Sequence, residues 1–76
     1  MERLTAQNVW FDKDRIFMEL SDHRIIGCPI QWFPRLSRAT EEQKMHRELI
    51  AGGTGVHWEE IDEDLSVEGM LSYRHQ

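Results

Sequence analysis

The chain is poor in the features that would place it in a membrane or a disulfide-stabilised class. Cys28 is the only cysteine, which excludes a disulfide framework. Its neighbours include no activating motif, so a small buried side chain is the favoured interpretation of the thiol. Long apolar runs are also missing, and no membrane-spanning helix is expected. The N-terminus lacks the apolar stretch of a signal peptide, which predicts a cytoplasmic protein.

Positive charge is scarce as well. The chain has nine Lys and Arg and 14 Asp and Glu, which gives a net charge of −5. Non-specific nucleic-acid binding needs clustered basic residues, so direct binding to nucleic acid is not expected. The imbalance is uneven along the chain: residues 1–38 carry net +1 and residues 39–76 net −6. Any electrostatic partner should therefore be basic and should meet the second half.

The length of 76 residues predicts a single compact domain, 1–76, with a small core. A chain of this size buries only about 60% of its unfolded surface. Three Trp, three Phe and four Met offset this, because large side chains bury much area. We expect a monomer or a weak homodimer, with any exposed apolar patch as a contact.

Three strands are predicted in the first third of the chain. Residues 9–11, 15–20 and 24–28 are rich in apolar residues, and the second segment alternates apolar and polar positions. Short polar segments separate them, which favours an antiparallel meander. Pro34 follows, so residues 30–36 are predicted as a short strand or a helical turn that pins the connection to the core.

Thr40 and Gln43 form a capping-box pattern that predicts the start of a helix. The helix is expected to run to about Ile50, with Met45 and Leu49 facing the sheet. Gly52-Gly53 supplies its stop signal.

An acidic loop over 59–65 is predicted next. Ser66 is then expected to cap a last short helix, 67–72, with Val67, Met70 and Leu71 inward and a frayed tail over 73–76. The predicted fold class is α+β: a small antiparallel sheet of about three strands, a capped helix, an acidic loop and a short C-terminal helix.

Several segments together resemble a known bacterial family, the domain of unknown function 2442. They are Phe33-Pro34-Arg35-Leu36, Ala39-Thr40, Gly55-Val56-His57-Trp58, the run from Ile61 to Val67, and Met70-Leu71. The chain has Asp22-His23 where the family usually has Asp-Gly, and Glu59 where it usually has proline. The resemblance implies a small α+β fold and genome contexts beside small toxin-like proteins, in an antitoxin role. It implies no catalytic residues.

Two surfaces are candidates for binding a partner. The first is acidic, a docking patch for a basic protein formed by Glu59, Glu60, Asp62, Glu63, Asp64 and Glu68. An alternative interpretation is a solvated loop in which Asp62 and Asp64 hold the next helix N-terminus. The second surface combines Trp32, Phe33 and Arg35. Adjacent residues of an extended chain point to opposite sides, so one aromatic ring is expected as an exposed anchor.

Neither a metal site nor a catalytic site is predicted. An EF-hand loop starting at Asp62 would have Val67 and Tyr73 where calcium binding needs Gly and Glu. The histidines and Cys28 lack the spacing of zinc ligands. His57 is interpreted as a packed residue with one hydrogen-bonded nitrogen rather than as a general base. No cofactor is expected.

Three functional hypotheses follow. The leading one is a non-enzymatic interaction module, antitoxin-like, that masks a small basic toxin or nuclease-like protein. The first alternative is a phage-borne acidic inhibitor, such as an anti-CRISPR or other anti-defence protein that mimics nucleic acid. The second alternative is a metal-dependent enzyme, which would need convergent polar groups in a pocket.

Overall fold

The computed structural model describes residues 4–72, which fold into two three-stranded antiparallel sheets and three short helices. The first sheet has the order β1-β2-β3 and the second β4-β5-β6. Short 3-10 turns lie at Ile30–Trp32 and Ala51–Gly53. The other elements are β1 (Ala6–Asp12), β2 (Arg15–Leu20), β3 (Ile25–Pro29), α1 (Pro34–Ser37), α2 (Glu41–Met45), β4 (Glu48–Ile50), β5 (Gly55–Trp58), β6 (Glu63–Ser66) and α3 (Val67–Ser72).

The first sheet is the predicted meander. Alternation along β2 puts Ile16, Met18 and Leu20 on the inner face, where each is fully buried. The β2–β3 turn closes without glycine: His23 takes a left-handed conformation with φ of 73°. The Asp22 carboxylate accepts hydrogen bonds from the Arg24 backbone amide at 3.1 Å and from its side chain at 2.7 Å. These two hydrogen bonds stabilise a turn in which glycine would have adopted the left-handed conformation at lower steric cost.

The connection after β3 consists of two helical turns, one of the two forms predicted for it. Pro34 stands at the first position of α1, where the missing amide hydrogen costs nothing. Phe33 and Leu36 are both buried and anchor this connection to the core.

The helix that follows begins as predicted but is much shorter. The Thr40 hydroxyl accepts from the Gln43 amide at 3.1 Å, and the Gln43 side chain accepts from the Thr40 amide at 3.0 Å. α2 nevertheless ends at Met45, and the expected extension to Ile50 is wrong. Residues 48–50 instead form β4, because pairing with β5 gives their backbone groups partners along a whole strand. Met45 and Leu49 remain 71% and 48% exposed, so neither is buried against a sheet as expected.

The second sheet takes up the last three residues of the predicted acidic loop. Only the turn between β5 and β6 is loop, and there Asp62 has a φ of 52° while its amide donates to the Glu59 carbonyl at 3.2 Å. Residues 63–66 form β6, which pairs with β5. A loop over the whole of 59–65 is therefore wrong for its last residues.

The last helix, α3, is capped as predicted. The Ser66 hydroxyl accepts from the Gly69 amide at 2.8 Å, and Val67 and Met70 are buried. Leu71 is 48% exposed, so its predicted inward position is wrong. The expected fraying of 73–76 lies outside the described residues.

The two sheets share one core. Inner-face residues of the first sheet, such as Met18, and of the second, such as Val56 and Leu65, belong to the same buried cluster. The outer face of each sheet therefore turns away from this core. The α+β class is confirmed, with a second small sheet added to the predicted one. Among residues 4–72, no helix has the length and apolar character needed to cross a bilayer.

Candidate docking surface

The outer side of the second sheet carries a row of charged residues set by strand register. Glu48 pairs with His57 across β4 and β5, and His57 pairs with Asp64 across β5 and β6. The His57 ring is hydrogen-bonded through Nδ1 to the Asp64 carboxylate. This confirms His57 as a packed residue with one hydrogen-bonded nitrogen, and its side chain is only 26% exposed.

A second histidine–carboxylate pair lies beside the first. His46, just after α2, is 2.8 Å from the Glu60 carboxylate through Nδ1. The segment from Met45 to Glu48, together with His57, Glu59 and Glu60, lines a shallow depression of about 440 Å³. We call Glu48, Glu59, Glu60 and Asp64 the acidic face.

The acidic face raises the pKa of both histidines. For His57 the main cause of the raised pKa is the hydrogen bond to Asp64; partial burial opposes it, and the charges of Asp64, Glu48 and Glu59 add smaller upward contributions. For His46 the main cause is the hydrogen bond to Glu60. Protonation therefore compensates part of the negative charge, and it does so more readily here than at an ordinary histidine.

The nearby Lys and Arg side chains do not neutralise this face. Lys44 is 13% exposed, and its ammonium lies 3.1 Å from Glu41 and 5.3 Å from the centroid of the Phe11 ring. Arg47 donates to the backbone carbonyls of Val9 and Lys44. These are the only two basic residues between 39 and 72, apart from histidine. Arg47 lines the same depression, but within residues 4–72 the ion pairs of the acidic face are those of Glu60 with His46 and of Asp64 with His57.

The six residues of the acidic patch predicted from the sequence do not form a single surface in the structure. Glu59, Glu60 and Asp64 belong to the acidic face. Asp62 points elsewhere: its carbonyl accepts a hydrogen bond from Arg35, and its carboxylate is 3.9 Å from the same guanidinium. The other two predicted members are placed apart, since Glu63 is half-buried opposite Trp58 and Glu68 lies on α3.

Neither aspartate provides the hydrogen-bonded cap of the next helix, as the alternative interpretation required. Ser66 does this instead. Sequence reasoning missed Glu48 and His46 as members of the surface. A correct prediction of β4 and of its register with β5 would have revealed Glu48, because paired residues of neighbouring strands share a face of the sheet.

The second predicted surface is only partly formed. Phe33 is 7% exposed and Trp32 is half-buried against the core, so the expectation of an exposed aromatic ring here is wrong. The argument from an extended chain fails because Trp32 ends a 3-10 turn and Phe33 directly precedes α1. Arg35 is exposed, but it is engaged with the β5–β6 turn. The two predicted surfaces therefore meet at the Arg35–Asp62 contact.

Two other candidate sites are a reactive Cys28 thiol and a metal site. Cys28 is buried, and burial raises the pKa of its thiol, which disfavours the thiolate. In the part of the chain from 4 to 72, no three His, Cys, Asp or Glu side chains are arranged to share a metal ion. The arrangement on the acidic face is suited to binding cationic groups at a surface.

Comparison with known proteins places the chain in a family. Residues 6–76 match the sequence profile of a family described as "Protein of unknown function (DUF2442)". A crystal structure of a protein of unknown function from Rhodospirillum rubrum ATCC 11170 is similar, with a TM-score of 0.79 and 26% identity over 93% of this chain and 88% of that chain. A solution NMR structure of an uncharacterised protein from Chromobacterium violaceum gives a TM-score of 0.73 and 28% identity over 88% of this chain and 63% of that one. No curated protein matches the sequence. The chain belongs to the DUF2442 family.

Proposed function

We propose that this chain is a small, non-enzymatic protein-interaction module that docks a basic partner protein on its acidic face. The observation that carries the proposal is the gathering of Glu48, Glu59, Glu60 and Asp64 around two histidines, while Lys44 and Arg47 contact other parts of the chain. Lys and Arg side chains of a partner would supply the missing positive charge.

The geometry supports recognition rather than chemistry. Glu48 and Asp64 are held by strand pairing, so their spacing is set before a partner arrives. A preorganised surface loses less entropy on binding than a flexible one. Charge complementarity of this kind speeds association and selects the partner, and it weakens as salt rises.

The partner that we favour is a small basic toxin or nuclease-like protein, which the module would mask as an antitoxin does. The support for this identity is the resemblance to relatives found beside toxin-like genes. The acidic face adds a physical reason, because nucleic-acid-binding surfaces are basic and would be covered by it.

The test compares two variants with the same change in net charge. Glu59→Gln/Glu60→Gln alters the acidic face in the β5–β6 turn, and Asp12→Asn/Asp14→Asn alters exposed carboxylates at the β1–β2 turn. Each variant is co-expressed with the protein encoded by the neighbouring gene, and affinity for it is measured by calorimetry. We expect the first variant to lose roughly tenfold in affinity, since two exposed ion pairs contribute about 0.4–2 kcal/mol together. The second should bind as the wild type does.

Three outcomes would contradict the proposal or change its partner. Equal binding by both variants would remove the acidic face from the interaction. Absence of a complex at low salt would reject the neighbouring product as partner. Capture of a nuclease from which DNA displaces this chain would favour the anti-defence inhibitor over the antitoxin.

A further inference from the structure

The outer face of the first sheet carries an exposed apolar patch on the other side of the core. Trp10 on β1 is 37% exposed and Ile25 on β3 is 58% exposed. Between them on β2 lies Phe17, whose ring stacks on Trp10 with a centroid distance of 5.7 Å and an interplanar angle of 16°. We call Trp10, Phe17 and Ile25 the aromatic patch.

Packing holds the aromatic patch in a fixed shape. The Phe17 ring lies directly over Gly27, so that a Cβ at position 27 would be 2.7 Å from a ring carbon. Glycine thus makes room for the ring, and the stack on Trp10 holds it from the other side. A rigid, exposed apolar surface on a sheet is a typical site of association with another protein.

Charged residues flank the patch in a definite order along β2. Arg15 and Glu19 lie two residues before and after Phe17 and share its face of the strand. Two residues of a strand span about 6.8 Å, so each charge lies within reach of a side chain packed on the ring. Within residues 4–72, Arg15 forms no ion pair, and the Glu19 carboxylate accepts a hydrogen bond from the Asn8 side chain at 2.8 Å.

We propose that a second copy of this chain covers the aromatic patch, with the two β2 strands antiparallel across a twofold axis that passes beside Phe17. This orientation stacks the aromatic rings of the two copies against each other. It also places Arg15 of each copy opposite Glu19 of the other. Turning one copy end for end would set Arg15 against Arg15 and Glu19 against Glu19, and like charges in contact disfavour that arrangement. The order of charges along β2 is therefore complementary to that of a second copy in the antiparallel orientation alone.

The size of the face predicts a weak dimer. Three strands spaced about 4.8 Å apart, each about five residues long at about 3.4 Å per residue, give a face of about 14 by 17 Å. The area of such a face is well below the roughly 800 Å² that each partner buries in a standard interface. The dimer should therefore form at micromolar or higher chain concentrations. It leaves the acidic face of each copy uncovered on the far side, so a dimer would hold two such faces.

The experiment uses charge reversal and measures self-association without any partner protein. Sedimentation velocity of the wild type from about 5 to 500 μM should show a monomer–dimer equilibrium. Arg15→Glu and Glu19→Arg should each weaken it at least tenfold, because each places like charges across the interface. An equimolar mixture of the two variants should recover dimerisation, since Arg15 of the second variant meets Glu19 of the first.

Circular dichroism should show that both variants fold, because both positions are on the outer face of the sheet. Ile25→Lys serves as an additional variant that disrupts the patch without altering Arg15 or Glu19, and it should also give monomers. The proposal is overturned if the wild type remains monomeric at 500 μM, if the single variants dimerise as the wild type does, or if their mixture stays monomeric.

Discussion

Trp58 links β5 to the end of α2, and replacing it with phenylalanine tests how the second sheet is attached to the rest of the fold. The side chain is fully buried. Its Nε1–H donates to the Lys44 carbonyl at 3.1 Å, and its ring meets Phe11 edge-on with centroids 6.2 Å apart. Trp58→Phe keeps an aromatic ring at the site but removes the donor and part of the packed volume.

The expected loss combines two effects. A hydrogen bond of this kind contributes about 0.5–1.5 kcal/mol net. The missing ring atoms cost about another 1 kcal/mol in burial and packing. We therefore expect Trp58→Phe to lower the free energy of unfolding by about 2 kcal/mol. A domain of this length has about 4–11 kcal/mol in total, so the midpoint of thermal unfolding should fall by about 10 °C.

Trp10→Phe is the matched control, because it is the same chemical change at an exposed site. No hydrogen bond of the Trp10 indole is found within residues 4–72, and a phenylalanine there can still stack on Phe17. Its unfolding free energy should stay within about 0.5 kcal/mol of the wild type. Urea unfolding of all three proteins, followed by circular dichroism at low micromolar concentration, gives the comparison. Equal stability of the two variants would refute the attachment of β5 to α2 through Trp58.

Two further predictions concern histidine protonation and helix capping. The raised pKa of His57 means that its pair with Asp64 stabilises the fold fully below the unfolded histidine pKa of about 6.5 and loses this effect as pH rises through the higher folded value. The urea midpoint of the wild type should therefore exceed that of His57→Gln, and the difference should be larger at pH 5.5 than at pH 8. A difference that does not depend on pH would contradict the pairing. Thr40→Ala should cost about 0.5–2 kcal/mol in urea unfolding because the Gln43 amide loses its acceptor. Thr40→Ser keeps the acceptor, and an equal loss in both variants would show that the cap is unimportant.

Local signals predicted the parts of this fold that depend on neighbouring residues. The alternation of Ile16, Met18 and Leu20 identified the inner face of β2, and the Thr40 and Ser66 caps marked two helix starts. Each of these features is determined by residues within a few positions of one another. The family was identified from several short segments of this kind, spread over residues 33–71.

The candidate surface was predicted less completely, for a physical reason. Glu59, Glu60 and Asp64 were found because they are close in sequence and share a charge. Asp62 was grouped with them, although its backbone conformation and the Arg35 contact direct it elsewhere. His46 could not be assigned, because its approach to Glu60 depends on how α2 and the β5–β6 turn pack together.

The amino-acid sequence by itself determined the size of the core, the first sheet, the helix caps and the sign of the surface charge, since all of these follow from composition and short-range pattern. Only the tertiary structure decided that residues 48–50 are a strand. A segment of three exposed residues has no strong preference of its own, and it adopts the β conformation because the edge of β5 offers hydrogen-bond partners. That one non-local pairing brings Glu48 beside His57 and Asp64 and so completes the acidic face.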